Sequence, residues 1–260
     1  MTQERITKSI RRDWDERARK NAFFYIASWR SDWNAASFFE SGEEDYAHLV
    51  KPVLDRAGFE TAGKTIVEVG CGAGRMTRCF ASRFGRVMAV DVSSEMQDRA
   101  KHYLADFKNI DWLLADGTGL SGIESASSDL VFSYLVLQHF PNSEMAYALL
   151  KEFSRVLRPG GVLFFQFNGT PVRSMNFYGR VVWSLVDALW SIGLEKAGRT
   201  FAKLIGLDPE MVGKSWHGVA LSVDEVRGTL EAAGITGLKF WGDGTPMAWC
   251  SGAKSTEAKA

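Results

Sequence analysis

From Thr65 onward the chain alternates short β-type runs with helical runs, and that alternation limits its fold more than any other feature. Residues 65–69 form a β-branched strand and 76–84 a helix. Residues 86–90 are a second strand ending in Asp91, followed by a helix at 94–107. A third strand at 110–115 ends in Asp116, and an apolar strand at 130–135 is preceded by Asp129. A helix at 142–157 closes in Arg158-Pro159-Gly160-Gly161, and a further strand covers 162–167. Strands that alternate with helices imply a parallel sheet with right-handed crossovers and helices on both faces.

The flanks are read less directly. Residues 6–21 carry helix formers, followed by the aromatic residues Phe23, Phe24, Tyr25, Trp29, Trp33, Phe38 and Phe39. Ser41-Gly42-Glu43-Glu44 has the form of a capping box, with Ser41 at the N-cap. Pro52 kinks the helix that follows or marks a fresh start. After Gly169 about fifty residues precede the next α/β unit, with Val181, Val182, Leu185, Val186, Leu189 and Trp190 on one helical face. A second capping box starts at Ser222, and 237–241 with 245–251 read as an antiparallel pair. The expected organisation is an N-terminal helical extension (1–58), a core domain (59–252) with a helical insert at about 170–220, and a small polar tail (253–260) without order.

Composition narrows the function. Thirty-one basic against 31 acidic residues leave no net charge, the opposite of a DNA-binding footprint. No apolar run is long enough to span a bilayer. The opening Met1-Thr2-Gln3-Glu4-Arg5 has no apolar signal core, and Cys71, Cys79 and Cys250 lack metal spacing; both point to reduced thiols in the cytoplasm. The four histidines have no ligand spacing, so no metal is expected.

The first strand ends in Glu68-Val69-Gly70-Cys71-Gly72-Ala73-Gly74-Arg75. Glycine is needed where backbone turns with positive φ or lies against a ligand, and such a strand-to-helix loop is a nucleotide-cofactor site. A dinucleotide fingerprint would place its last glycine where Arg75 stands. Strands two and three would bring Asp91 and Asp116-Gly117 to the same crevice. An acid there accepts from ribose hydroxyls or from an adenine amine.

With Val90-Asp91, Ala115-Asp116-Gly117 and Leu157-Arg158-Pro159-Gly160-Gly161-Val162-Leu163, this pattern resembles the class I S-adenosylmethionine-dependent methyltransferases, firmly over 60–168. The resemblance implies an α/β, doubly wound, mainly parallel seven-stranded Rossmann-like sheet with S-adenosylmethionine as cofactor. It implies cofactor contacts from Glu68, Gly70, Cys71, Gly72, Gly74, Asp91, Val92, Met96, Asp116, Gly117, Ser133 and Tyr134. Trp14 and Tyr25 of the aromatic N-terminal segment join them if that segment is a lid rather than packing on the sheet edge; Trp33 is a third residue to watch. Candidate catalytic groups are Tyr134, His139 as a general base, and His217 from the insert. His48 and His102 read as surface or packing residues, and Asp129 as a turn residue.

The acceptor is expected to be a small, partly apolar molecule methylated on O, N or S. The Asn/Asp-Pro-Pro-Tyr/Phe motif of nucleobase-amine methylation is absent at Ser133-Tyr134-Leu135-Val136. A protein or RNA side-chain methyltransferase, or a cofactor-binding regulator without turnover, is the alternative. The insert is open to two readings, an acceptor cap or a homodimer contact.

Overall fold

A computed structural model describes residues 3–115, 119–170 and 218–256, with residues 185, 188–189 and 194–204 between the last two. Its elements, in chain order, are α1 (Gln3–Ile26), α2 (Ala35–Asp45), α3 (Lys51–Arg56), β1 (Thr65–Val69), α4 (Thr77–Ala81), β2 (Arg86–Asp91), α5 (Ser94–Tyr103), β3 (Ile110–Leu114) and β4 (Ser128–Ser133). There follow α6 (Ser143–Val156), β5 (Leu157–Phe167), α7 (Glu195–Leu204), α8 (Val223–Ala232), β6 (Ile235–Trp241) and β7 (Ala248–Lys254). A single π-helical turn, Tyr46–Val50, joins α2 to α3, and a 3₁₀ turn, Leu137–His139, follows β4.

The seven strands form one sheet in the order β3-β2-β1-β4-β5-β7-β6. The first five are parallel, and β7 runs antiparallel to both β5 and β6. This is the doubly wound seven-stranded sheet expected. Alternate residues of each strand feed opposite faces. Val67, Val69, Val131, Leu163 and Phe165 pack with Leu150 and Phe153 of α6 and Val226 and Leu230 of α8. Ile66, Leu130, Phe132 and Phe164 pack with Phe80 of α4 and with Val53 and Leu54 of α3. Both faces of the central strands are therefore dry, which explains runs such as Leu130-Val131-Phe132 with no polar alternation.

Several local readings change. The capping box lies earlier than Ser41: Asn34 accepts from Ser37 N at 2.9 Å while Asn34 N donates to Ser37 Oγ at 3.3 Å, and α2 starts at Ala35. Ser41 is inside that helix, its hydroxyl donating to Phe38 O at 2.7 Å. Pro52 falls in the first turn of α3, directly after the π-helical turn Tyr46–Val50. Ser222 is the N-cap of α8, although its side chain makes no capping bond. Asp129 belongs to β4 rather than to a turn; it is buried, accepts from Thr65 N at 2.8 Å and pairs with Arg158 at 2.8 Å. β7 continues to Lys254, past the expected end of order at Gly252. The apolar face expected at 181–190 lies mostly outside the described residues. Among the described residues no helix is long and apolar enough to cross a membrane.

Candidate active site

The chain turns sharply as β1 ends. Gly70 N and Cys71 N both donate to Val90 O, at 2.8 and 3.0 Å, so the loop is stitched to the end of β2. Gly70 has φ of 82° and Gly72 of 52°, in the left-handed region. A Cβ on Gly70 would strike the side chain of Val136, and one on Gly72 would lie 2.8 Å from Ile26 Cδ1. Asp91, at the end of β2, braces this loop. Its Oδ2 accepts from Gly72 N at 2.8 Å and its Oδ1 from Ser93 N at 2.9 Å. Burial pushes the Asp91 carboxyl above its ordinary value, and those amides pull it back. Each oxygen keeps a further lone pair for a ligand hydroxyl.

These strand ends open on a cavity of about 360 Å³. Its floor includes Glu68, Gly70, Cys71, Gly72, Asp91, Val92 and Met96. Tyr134, Gln138 and His139 line it from the β4 side, and Ile10, Trp14, Tyr25, Ile26 and Trp29 from the N-terminal segment. Polar ties hold α1 across the crevice. Arg11 donates to Val92 O at 3.0 Å and to Ala115 O at 2.8 Å, and Asp15 accepts from Ser93 Oγ at 2.6 Å. Asn21 leaves helical geometry inside α1, and this break lets the segment bend over the glycine loop.

The wall on the β4 side is built on a strained turn. Leu135 has φ of 60°, uncommon for a branched side chain. Gln166 of β5, fully buried, holds that turn: its Oε1 accepts from Leu135 N at 3.0 Å, and its Nε2 donates to Gln138 Oε1 at 3.2 Å and to Pro246 O at 2.7 Å. Gln138 Nε2 lies 3.3 Å from His139 Nε2, and Trp14 meets the His139 ring edge-to-face at 5.0 Å. Burial pushes the Tyr134 phenol up to about 12, so it keeps its proton at neutral pH. The Cys71 thiol, driven well up by burial, is no nucleophile.

Most of the residues singled out in the sequence therefore meet in one place: Glu68, Gly70, Cys71, Gly72, Asp91, Val92, Met96, Tyr134, His139, Trp14 and Tyr25. Gly74 and Ser133 are not among the lining residues. The positive φ of Gly74 serves packing, since a Cβ there would meet Leu104 at 2.8 Å and Ala100 at 3.2 Å. Ser133 turns its hydroxyl to Val69 O at 3.1 Å. Trp33 also faces elsewhere, donating to Ala27 O at 2.7 Å, while Trp29 lines the cavity in its stead. Asp116, Gly117 and His217 lie outside the described residues. His48 and His102 are exposed, as expected. Sequence reasoning named Trp29 only as one aromatic residue of the N-terminal segment, and it missed Ile26 and Arg75 as lining groups and Gln166 as the support of the β4-side turn. The signals available were the aromatic run for Trp29 and the departure of Arg75 from the dinucleotide pattern.

Residues 67–165 match the family model described as a methyltransferase domain. Over that stretch the chain is similar to a methyltransferase domain. The ubiquinone biosynthesis O-methyltransferase of Idiomarina loihiensis is 31% identical over 140 residues, 51% of this chain and 56% of that protein. The trans-aconitate 2-methyltransferase of an Azoarcus species is 32% identical over 136 residues, 52% of this chain and 50% of its own. The chain thus spans about half the length of the curated relatives it matches. In fold it is similar to phosphoethanolamine N-methyltransferase 1 of Haemonchus contortus, with a TM-score of 0.61 at 16% identity, covering 100% of this chain and 51% of that one.

S-adenosylmethionine is the cofactor that goes with this methyltransferase domain, and the residues present fit it. The loop has no Cβ at Gly70 or Gly72, Asp91 has acceptor capacity to spare, and the buried Oε2 of Glu68 has no hydrogen-bond partner among the described residues.

Proposed function

We propose that this protein is an S-adenosylmethionine-dependent methyltransferase acting on an O, N or S atom of a small molecule. The observation that carries the reading is the meeting, in one cavity, of the glycine loop and Asp91 with Tyr134 and His139. When bound, the cofactor supplies a sulfonium methyl already activated toward nucleophiles. The protein's task is then to orient, to exclude water and to remove one proton. Gly70 and Gly72 would lie against the amino-acid end, Glu68 would meet its amino group, and Asp91 would accept from the ribose. Tyr25, Ile26 and Trp14 would close over the ligand and keep water out. His139, backed by Gln138 and Trp14, is the candidate base for the acceptor. The names of the relatives, a ubiquinone-pathway O-methyltransferase and a trans-aconitate methyltransferase, support a small acceptor. Three free, buried cysteines support a reducing, cytoplasmic setting.

Calorimetry with S-adenosylhomocysteine and with NADH tests the donor half. S-adenosylhomocysteine should bind and NADH should not, and the reverse result overturns the reading. Asp91→Ala should weaken S-adenosylhomocysteine by about 1.5–3 kcal/mol, the loss of hydrogen bonds to a charged group. A donor-labelled screen of phenols, carboxylates, thiols and amines, read by product mass, identifies the acceptor.

A further inference from the structure

Arg75 stands where the loop enters α4, and among the described lining residues it is the one permanent cation. Its side chain is 3% exposed. Nη1 donates to Asp45 Oδ2 at 2.7 Å and to Ser41 O at 3.3 Å, and the Tyr134 phenol also interacts with the guanidinium. The two Nη1 bonds tie the glycine loop to the end of α2 and would suffice for a structural role. Nε, however, is buried with no acceptor among the described residues, and Nη2 takes part in neither Nη1 bond. A buried donor left without a partner is costly, so native structures rarely keep one without a reason.

The geometry of the guanidinium says what would satisfy it. Nε–H and Nη2–H lie side by side on one edge of the planar group, the fork that matches the two oxygens of a carboxylate or phosphate. The ring centroids of Trp29 and Tyr134 lie 5.4 and 5.5 Å from the guanidinium carbon. Aromatic rings attract a guanidinium over their faces. A ligand is then left the in-plane edge, which is the approach that gives two parallel hydrogen bonds. Trp29, at 58% exposure, is the more open of the two rings.

We propose that the Nε–Nη2 edge of Arg75 is the docking point for a carboxylate or phosphate group of a ligand in the methyl-transfer cavity. The inference rests on the methyltransferase reading and goes further by assigning acid recognition to one residue. Two sources carry such a group: the amino-acid end of the cofactor, or an acidic acceptor. Asp45 holds the opposite side of the guanidinium still, so that the fork is set before the ligand arrives.

The test compares wild type with Arg75→Met, Arg75→Lys and Asp45→Asn. S-adenosylhomocysteine and 5′-methylthioadenosine, which has the nucleoside but no carboxylate, are measured by calorimetry. Trans-aconitate and phosphoethanolamine are then titrated onto the S-adenosylhomocysteine complex. If the cofactor supplies the anion, Arg75→Met weakens S-adenosylhomocysteine about 10- to 100-fold and leaves 5′-methylthioadenosine unchanged. If the acceptor supplies it, both nucleosides bind as in wild type and the affinity for trans-aconitate or phosphoethanolamine falls at least about 10-fold. In either case Arg75→Lys recovers only part of the loss, because an ammonium has no fork, and Asp45→Asn retains most of the affinity. Equal weakening of both nucleosides, equal losses in Arg75→Met and Asp45→Asn, or no anion-dependent difference between wild type and Arg75→Met overturns the proposal. Failure of wild type to bind either nucleoside overturns the methyltransferase reading itself.

Discussion

Glu68 lies at 3% exposure on the sheet face shared with Ile66, and its Oε2 meets no donor among the described residues. Burial pushes its carboxyl up to about 8, with neighbouring Asp91 adding to the rise. An unfolded glutamate titrates near 4.5. Between those values the folded chain keeps a proton that the unfolded chain has released, so the stability of the unliganded protein falls as pH rises through that window. Glu68→Gln should remove this fall. Urea midpoints of variant and wild type should converge near pH 4.5 and separate by pH 8 in favour of the variant, by on the order of a few kcal/mol. A difference that does not vary with pH would contradict the assignment. At this scale the glycine loop and Asp91 were legible because their residue types are needed at those places. Trp29 and Trp33 were not told apart, since both are aromatic residues of one short segment and only the bond from Trp33 to Ala27 O turns one of them away. The setting of Arg75 was equally hidden, because its partner Asp45 is thirty positions upstream.

The turn between β4 and α6 depends on a residue of the next strand. Gln166 supplies an acceptor to Leu135 N and donors to Gln138 and Pro246, and Leu135 keeps its left-handed φ under that hold. Replacing it with leucine of similar volume strands these groups in a dry interior. Gln166→Leu and His139→Ala should both lower turnover while leaving S-adenosylhomocysteine affinity close to wild type. The leucine variant should in addition lose about 1–3 kcal/mol of stability. Wild-type turnover in His139→Ala from mildly acidic to mildly alkaline pH would return that imidazole to a packing role. Periodicity located these elements well, since strands buried on both faces read as apolar runs. It could not foresee the support, because an interior glutamine in Phe164-Phe165-Gln166-Phe167 looks like an interruption until its three partners are known. The helix starts show the same limit: Ser41 and Asn34 are both plausible caps by composition, and backbone geometry alone chose Asn34.

Across the whole molecule, α1 crosses a cavity, tied by Arg11 to Val92 and Ala115 and by Asp15 to Ser93, and packed through Ala18 and Ala22 against Phe38, Met96 and Leu104. A segment that covers a cavity is stabilised further when a ligand fills the space beneath it. Addition of S-adenosylhomocysteine should slow amide hydrogen exchange over residues 10–26 by at least about tenfold while core strands β1 and β4 stay as they were. Equal exchange with and without ligand would show that this segment is no lid. Fold class, strand count and the parallel core were all open to sequence reading, because the α/β alternation is long and regular. The order of the last two strands was not, since a short antiparallel pair carries no mark of which member joins the sheet.

That order has a consequence during synthesis. β7 is the last strand made, yet it sits between β5 and β6. While residues 248–254 are still untranslated, β6 has no neighbour and β5 presents an open edge beside Phe164, Phe165 and Phe167. An apolar edge of that kind is a template for pairing with other chains. The nascent protein is thus most exposed to aggregation and chaperone capture in the interval between β5 and β7 leaving the ribosome.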